Sequence, residues 1–332
     1  MRVLVTGGGG FLGGAICRAL RAHGSEVVSL QRRRSAELDA LGVHQVLADI
    51  GDRAAVIEAA RACSGVFHVA AKAGHWGSLE EYENANVRGT EHVLAACAVH
   101  GIARLVYTST PSVAHAGGDL EGVDERAPIP THFRAHYPAT KARAEAMVLA
   151  ANRPELATCA LRPHLIWGPG DNHLLPRIVA RARAGRLRFV GSGEKRIDCT
   201  YIDNAVAAHL KAYDSLWPGS AHAGKAYFIS NGEPIALKTM INRLLDCAGL
   251  PPVQRHLPYP VAYAVGALME LCYRALSLPG EPLMTRFLAE QLNTAHWYDI
   301  SAAARDFGYQ PQVSMEQGFA QLREHLQGAG RA

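Results

Sequence analysis

Tyr137 and Lys141 stand four residues apart in YPATK, a spacing that puts both side chains on one face of a helix. A tyrosine can give or take a proton, but its ordinary pKa of about 10 poises it poorly at neutral pH. A nearby ammonium favours the phenolate, lowers that pKa, and can also hold a ribose hydroxyl. Upstream, VYTSTPSV puts Ser109, Thr110 and Ser112 at the C-terminal end of a predicted strand, where a hydroxyl can bind a substrate carbonyl. The set suits proton transfer at a ketone or an alcohol. A Tyr/Lys pair also occurs on plain surface helices, so the elements around it decide its meaning.

The chain opens with MRVLVTGGGGFLG. Arg2 to Thr6 is a short β-rich run, and Gly7, Gly10 and Gly13 follow at three-residue spacing, with Phe11 and Leu12 between the last two. Ala15, Ile16, Ala19 and Leu20 then mark one helix face. Glycines placed there allow a tight strand-to-helix turn, close approach of backbone to a pyrophosphate, and close packing of helix on sheet. The helix N-terminus offers free N–H groups to that anion. The stretch reads as a dinucleotide site.

Strands are predicted at 2–6, 26–30, 44–48, 65–69, 103–108 and 157–161, with helices at 12–23, 35–41, 52–62, 85–99 and from 137 onward. Val-, Leu- and Ile-rich strands separated by single helices predict an α/β protein with a Rossmann-type, doubly wound parallel sheet. Its ligand edge is the row of C-terminal strand ends. The loop 111–136 is long enough to suggest a functional reason. From Trp167 the pattern shifts to loops, a basic helix at 174–184, a strand at Tyr227 to Ile229, and mainly helix beyond. The expected division is a dinucleotide-binding body over 1–166, completed by parts of 199–230. A smaller, mainly helical substrate lobe covers 167–198 and 231–325, and 326–332 is a tail.

The 332 residues are 48% hydrophobic and 19% charged with net charge +4, which allows a large core and is only mildly basic. The Arg-rich stretches at 32–34 and 181–188 lack the extent and aromatic interleaving of a nucleic-acid site, so none is expected. Seven scattered cysteines without a C-x-x-C fit buried free thiols in a reducing compartment. The first strand begins at once, leaving no room for a signal peptide, and the most apolar stretch, 259–278, is interrupted by Glu270 and Arg274. A cytoplasmic protein without a transmembrane segment is expected. Sixteen histidines show no metal-ligand spacing, so no metal is expected.

TGGGGFLG, the Asp49–Ile50 pair, HVAA at 68–71, NVRGT at 86–90, YTSTPSV, YPATK, RPHLIWGPGD and TYIDNAVAAH together resemble the extended short-chain dehydrogenases/reductases. The branch they resemble holds the 3β-hydroxysteroid and sterol-4-carboxylate dehydrogenases. AAKAGHWG, WGPGDNHLLPR, GKAYFISNGEP and LMTRFLAEQL are similar to the 2-alkyl-3-oxoalkanoate reductases of bacterial long-chain olefin biosynthesis. The likeness runs from residue 1 to about 325. It implies that Tyr137 is the general acid and Lys141 its modulator and ribose anchor. Thr110 matches the catalytic hydroxyl, with Ser109 beside it, and Asn86 matches an organiser of the proton relay. The resemblance further implies pyrophosphate contacts at Gly7, Gly10 and Gly13, adenine-side contacts at Asp49 and Ile50, and a cofactor-lining Ala70 and Ala71. Pro163, His164 and Leu165 would lie beside the nicotinamide. The implied reaction reduces the 3-keto group of a 2-alkyl-3-oxoalkanoic acid, a long-chain hydrophobic substrate. A homo-oligomer and docking to other enzymes of the olefin pathway are implied with it.

An NAD-selective site usually carries Asp or Glu at the end of the second strand. Gln31 stands there instead, followed by Arg32, Arg33 and Arg34. No carboxylate would repel a 2′-phosphate and guanidinium forks could pair with it, so NADP (NADPH) is the expected cofactor, contacted by Gln31, Arg32 and Arg33. His75 and Trp76 follow the fourth strand and are expected to line the substrate pocket. Lys72, on the cofactor side, would balance a substrate carboxylate, with His75 or His173 behind it. The stripe Val261, Ala264, Val265, Leu268, Cys272 and Leu276 reads as core packing, or else as an apolar lid, a docking face or a weak membrane contact. Three competing functions share these motifs: a 3β-hydroxysteroid or sterol-4-carboxylate dehydrogenase, a nucleotide-sugar epimerase, and a non-enzymatic dinucleotide-sensing scaffold. The apolar C-terminal lobe weighs against the epimerase, and the Tyr/Lys pair against the scaffold.

Overall fold

Seven parallel strands form the central sheet: β1 (Arg2–Thr6), β2 (Glu26–Gln31), β3 (His44–Leu47), β4 (Gly65–His68), β5 (Arg104–Thr108), β6 (Ala157–Pro163) and β7 (Lys225–Ile229). This is a computed structural model describing residues 1–115 and 117–329; position 116 of the 111–136 loop and 330–332 of the tail lie outside the described residues. The strand order is β7-β6-β5-β4-β1-β2-β3, so the winding reverses between β1 and β4. A doubly wound sheet opens its ligand crevice at that reversal, outside the C-terminal strand ends. Register carries Thr6 opposite both Leu30 and His68, His68 opposite Tyr107, and Thr108 opposite Leu161. The C-terminal ends of these strands therefore lie in register along one edge of the sheet.

Both faces of the sheet are covered, which is why its strands are apolar on both sides. Val3, Val5, Phe67, Val106 and Leu161 pack with Trp167, Tyr201 and Tyr213 on one face. Leu4, Val66, Leu105 and Ala160 pack with Val93, Ala96 and Val148 on the other. A small four-stranded sheet joins Leu120–Val123, His296–Tyr298, Arg196–Ile197 and Ile235–Ala236. Its first member lies inside the predicted loop 111–136, where a short run containing Gly122 carries no strand signal. Its parallel partner is more than 170 residues away. All seven cysteines are free, six of them buried.

The helix Tyr259–Ala275 turns its predicted stripe outward. Val261, Val265, Leu268, Leu271 and Leu276 are exposed, and the buried face is Ala262, Gly266 and Glu270. Small residues win that seam because the helix lies against backbone: a Cβ on Gly266 would stand 2.6 Å from the Thr285 carbonyl carbon. Glu270 is held by Arg286, whose guanidinium donates to it at 2.7 and 3.0 Å. Among the described residues no helix is long and apolar enough to cross a membrane.

Beneath the crevice, Arg162 of β6 donates to Glu145 of the helix His136–Ala150 at 2.9 and 2.5 Å, with 4% and 1% of the two side chains exposed. Breaking such a pair strands a buried charge. Glu145→Ala should cost about 3–5 kcal/mol, whereas replacing Glu145 and Arg162 together by Leu and Met should cost far less. Urea unfolding midpoints at unchanged m-value give the comparison.

Candidate active site

The glycine turn is shaped by contact. Gly7 has φ +75°, and a Cβ there would lie 2.9 Å from Ala70 Cα, so β1 and the end of β4 approach closely only because the side chain is missing. A Cβ on Gly13 would collide with the Gly7 carbonyl. Gly10 donates to that carbonyl at 2.9 Å and caps the helix Phe11–Ala22 in extended backbone without a side-chain cap. The first-turn N–H groups at Phe11, Leu12 and Gly13 are thus presented to the crevice side of the turn. A cavity of about 300 Å³ opens at Gly9, Gly10 and Phe11. The cradle fits a pyrophosphate.

Farther along the strand ends, Asp49 accepts from Gly51 N at 2.8 Å, and Ile50 is buried under Gly89. Both follow β3, on the side where an adenine would lie. Gln31 is buried, accepting from the Ser29 hydroxyl and donating to Gln45 at 2.6 Å. Arg34 donates through Nε and Nη2 to the two carboxylate oxygens of Asp39, each at 2.8 Å. Glu37 pairs with Arg18 in the same region, while Arg32 and Arg33 are exposed. The basic run is partly neutralised by Asp39 of the next helix, a pairing that the run alone did not reveal.

A chain of buried hydrogen bonds ties this turn to the Tyr137 helix. Thr6 Oγ1 accepts from Val69 and Ala70 N at 3.1 Å and lies 2.8 Å from His68 Nδ1. His68 Nε2 lies 2.9 Å from Thr90 Oγ1, whose hydroxyl donates to the Asn86 carbonyl at 2.7 Å. The Thr90 proton is thereby committed, so Nε2–H donates to Thr90 and Nδ1 accepts from Thr6. Burial holds the His68 pKa down to about 3, with Lys141 adding to the effect, and the ring is neutral. Asn86 sits in a π-helical turn, Glu83–Arg88. It accepts from Lys72 N at 2.8 Å and donates to the Lys72 carbonyl at 3.1 Å and Thr140 Oγ1 at 3.0 Å. Thr140 donates onward to the backbone of His136 and Tyr137.

Tyr137, Lys141 and Thr110 come together. Burial raises the Tyr137 phenol, and a hydrogen bond from the Thr110 side chain opposes that rise. Lys141 is buried, donates to the Thr108 carbonyl at 2.6 Å, and lies 4.1 Å above the Tyr107 ring. Desolvation pushes its pKa down to about 7, against the pull of Glu145 one turn away. Thr110 accepts from Ser112 N at 3.3 Å, while the buried Ser109 hydroxyl finds no protein partner. Pro163 ends β6, followed by His164, bonded through Nδ1 to Asp198 at 2.8 Å, and by Leu165 in the left-handed region at φ +37°. A phenol hydrogen-bonded to a hydroxyl, with a buried ammonium one turn along the same helix, can polarise and protonate a carbonyl.

The remaining predicted residues scatter more. Lys72 faces Glu81 at 3.5 Å and lies 5.2 Å from the centre of the Tyr82 ring, so its ammonium already has a carboxylate. Trp76 packs edge-on against Tyr273 at 5.9 Å. His75 is half-buried with Nε2 unpartnered, next to Glu281, Arg177 and Arg181. His173 is exposed at the start of the helix Leu174–Arg183. Sequence reasoning missed His68, Thr6 and Thr90, whose only signal was a histidine and two threonines at strand and helix positions that face the crevice.

Residues 4–259 match the 3-beta hydroxysteroid dehydrogenase/isomerase family. The chain is 54% identical over 325 residues to a 2-alkyl-3-oxoalkanoate reductase of Stenotrophomonas maltophilia (strain K279a), covering 97% of this chain and 98% of that one. It is 49% identical to the Shewanella oneidensis protein of the same name, covering 97% and 85%. Among solved structures it is similar to the Thermus thermophilus UDP-glucose 4-epimerase in complex with NAD: TM-score 0.75, 25% identity, 99% and 100% of the two chains. Seven solved likenesses, that one included, hold NAD. The expectation of NADP is corrected accordingly. Its physical basis, an unopposed guanidinium cluster, is weakened by the Arg34–Asp39 pair and by the occupied Gln31 amide.

Lys141 also sets a pH dependence. Its folded pKa of about 7 lies below the unfolded value near 10.4, so between them the unfolded chain binds the extra proton and stability rises with pH. The slope should approach ~1.4 kcal/mol per pH unit between about pH 7.5 and 10, and Lys141→Met should remove that component. Chemical unfolding of both proteins across that range is the check.

Proposed function

We propose that this chain, which belongs to the 3-beta hydroxysteroid dehydrogenase/isomerase family, reduces the 3-keto group of a 2-alkyl-3-oxoalkanoic acid to the 3-hydroxyl with NADH. One observation supports the substrate class above all: 54% identity, nearly end to end, to a protein named for that reduction. The site is equipped for it. A dinucleotide bound on the Gly7–Gly13 turn, with Asp49 and Ile50 at one end and Pro163 to Leu165 at the other, supplies the hydride. Tyr137 gives its proton to the ketone oxygen, and Thr110 donates a hydrogen bond to the same oxygen. Lys141, in its charged form, stabilises the phenolate left on Tyr137 and reaches a ribose hydroxyl. Asn86 holds the Lys72 backbone and the Tyr137 helix in one frame.

In this reading 1–166, with parts of 199–230, holds the dinucleotide, while 167–198 and 231–325 enclose the alkyl chains. Burial of each CH₂ contributes about 0.8 kcal/mol, so such a site can select by chain length. A cytoplasmic location belongs to the same proposal, supported by seven unpaired cysteines. Assembly as a homo-oligomer and docking to other olefin-pathway enzymes belong to it too, supported by the exposed apolar face of Tyr259–Ala275.

Tyr137→Phe should lower kcat by about 100-fold or more with cofactor affinity nearly unchanged, because only the proton donor is lost. The substrate class is tested in the reverse direction with a stable 2-alkyl-3-hydroxy acid and NAD, beside 3β-hydroxysteroids, a sterol carboxylate and a UDP-sugar. The branched hydroxy acid should be the preferred substrate. Strong steroid oxidation with no turnover of any branched hydroxy acid would overturn the assignment.

A further inference from the structure

Thr110 and Tyr137 flank one long loop, and both ends of that loop are fastened to adjacent residues of the helix Arg286–Asn293. Thr110 caps a single 3₁₀ turn, Pro111–Ala114, which His115 closes. The Gln291 side-chain nitrogen lies 3.2 Å from His115 Nδ1. An amide nitrogen only donates, so Nδ1 accepts and the ring proton sits on Nε2. At the far end Arg134 Nη1 donates to Glu290 Oε1 at 2.8 Å, just before the helix His136–Ala150 begins. Only 9% of the Glu290 side chain is exposed, and Arg134 is its one ion partner among the described residues. The middle of the loop is held to the chain that follows the same helix. Asp119 accepts from Ala295 N at 2.8 Å, Leu120 N donates to the Ala295 carbonyl at 2.7 Å, and Leu120–Val123 pairs with His296–Tyr298.

We propose that Glu290 and Gln291 are positioning residues: through Arg134 and His115 they fix the spacing of Thr110 and Tyr137. The proposal rests on the catalytic roles given to those two residues above. Neighbouring Cα atoms stand about 3.8 Å apart, so the two attachments share one rigid base. Little slack lies beyond them, since one 3₁₀ turn separates His115 from Thr110, and Arg134 stands three residues before Tyr137. The Tyr137 helix has no side-chain cap of its own, and extended backbone at Ala135 leads into it. Its entry is therefore left to contacts such as the one at Arg134. Burial stiffens that contact, because opening it would strand the Glu290 carboxylate away from water. A phenol and a hydroxyl that serve one carbonyl oxygen need such a hold, as a shift of about 1 Å can cost ~100-fold in rate. The clasp also leads outward: Arg286, at the start of the same helix, donates its backbone N–H to Glu270 of Tyr259–Ala275 at 2.7 Å. The seating of these two helices is thereby tied to the catalytic pair.

The test measures oxidation of whichever alcohol in the panel above the parent prefers, beside NADH affinity and amide hydrogen exchange. Arg134→Gln and Glu290→Gln should each lower kcat about 10-fold or more, with KM and the NADH dissociation constant within about twofold of the parent. The double variant should lose no more than the worse single, because both substitutions remove one contact. Arg134→Lys should keep most of kcat. Exchange in Glu290→Gln should quicken across 111–136 and stay as in the parent at 2–6 and 65–68. Unchanged kcat in both single variants, additive losses in the double, or losses shared equally among kcat, KM and NADH affinity would overturn the clasp even if Tyr137→Phe is inactive. Full turnover by Tyr137→Phe would instead overturn the catalytic assignment on which the clasp depends.

Discussion

Polar side chains taken out of water must find partners, and here that obligation joins two distant pieces of backbone. Thr6 ends the strand before the glycine turn, and Thr140 lies one turn along the Tyr137 helix. Between them His68, Thr90 and Asn86 complete a run in which each buried hydroxyl, ring nitrogen and amide is matched. The proton positions at His68 and Thr6 follow outward from Thr90, because its hydroxyl is committed to a carbonyl. Such a run has essentially one satisfied arrangement, and an unsatisfied member would cost about 1–3 kcal/mol. It therefore transmits position: the place where a pyrophosphate would rest and the place where a phenol waits are set by the same hydrogen bonds.

Charge is handled differently on the neighbouring strands. Lys141 is buried over an aromatic face with a backbone carbonyl as its hydrogen-bond acceptor, which leaves its ammonium incompletely compensated. Glu145, one turn along, is largely claimed by Arg162. The pair is thus a muted counter-ion. A bare carboxylate in that place would fasten the proton to Lys141, and a neutral residue would release it more readily. A lysine near its midpoint at neutral pH responds to small changes in the charge beside it.

The glycine turn and the Tyr137/Lys141 face were legible in the sequence because both obey local rules: sterics at a tight turn and the period of a helix. The alternation of strands and helices announced the doubly wound sheet for the same reason. What stayed hidden depends on partners chosen in three dimensions. Nothing at 31–34 says that Arg34 turns to Asp39 and Gln31 to Gln45, and those choices weaken the case for a 2′-phosphate. Lys72 looked free until Glu81, set by the cap at Ser78, came round to meet it. The outward stripe of Tyr259–Ala275 inverted the usual reading of an amphipathic helix, because Ala262 and Gly266 allow an approach to backbone that larger apolar residues would block.

That outward stripe separates two properties that usually travel together. The apolar surface sealed around the sheet holds the fold, while Leu268, Leu271 and Leu276 remain wetted and contribute nothing to that interior. Their dislike of water stays available to act between molecules. Lyotropic salts that strengthen apolar burial, and warming from near-freezing temperatures, strengthen it as well. The patch thus responds to ionic composition and temperature through contacts between molecules, separately from the interior that holds the fold.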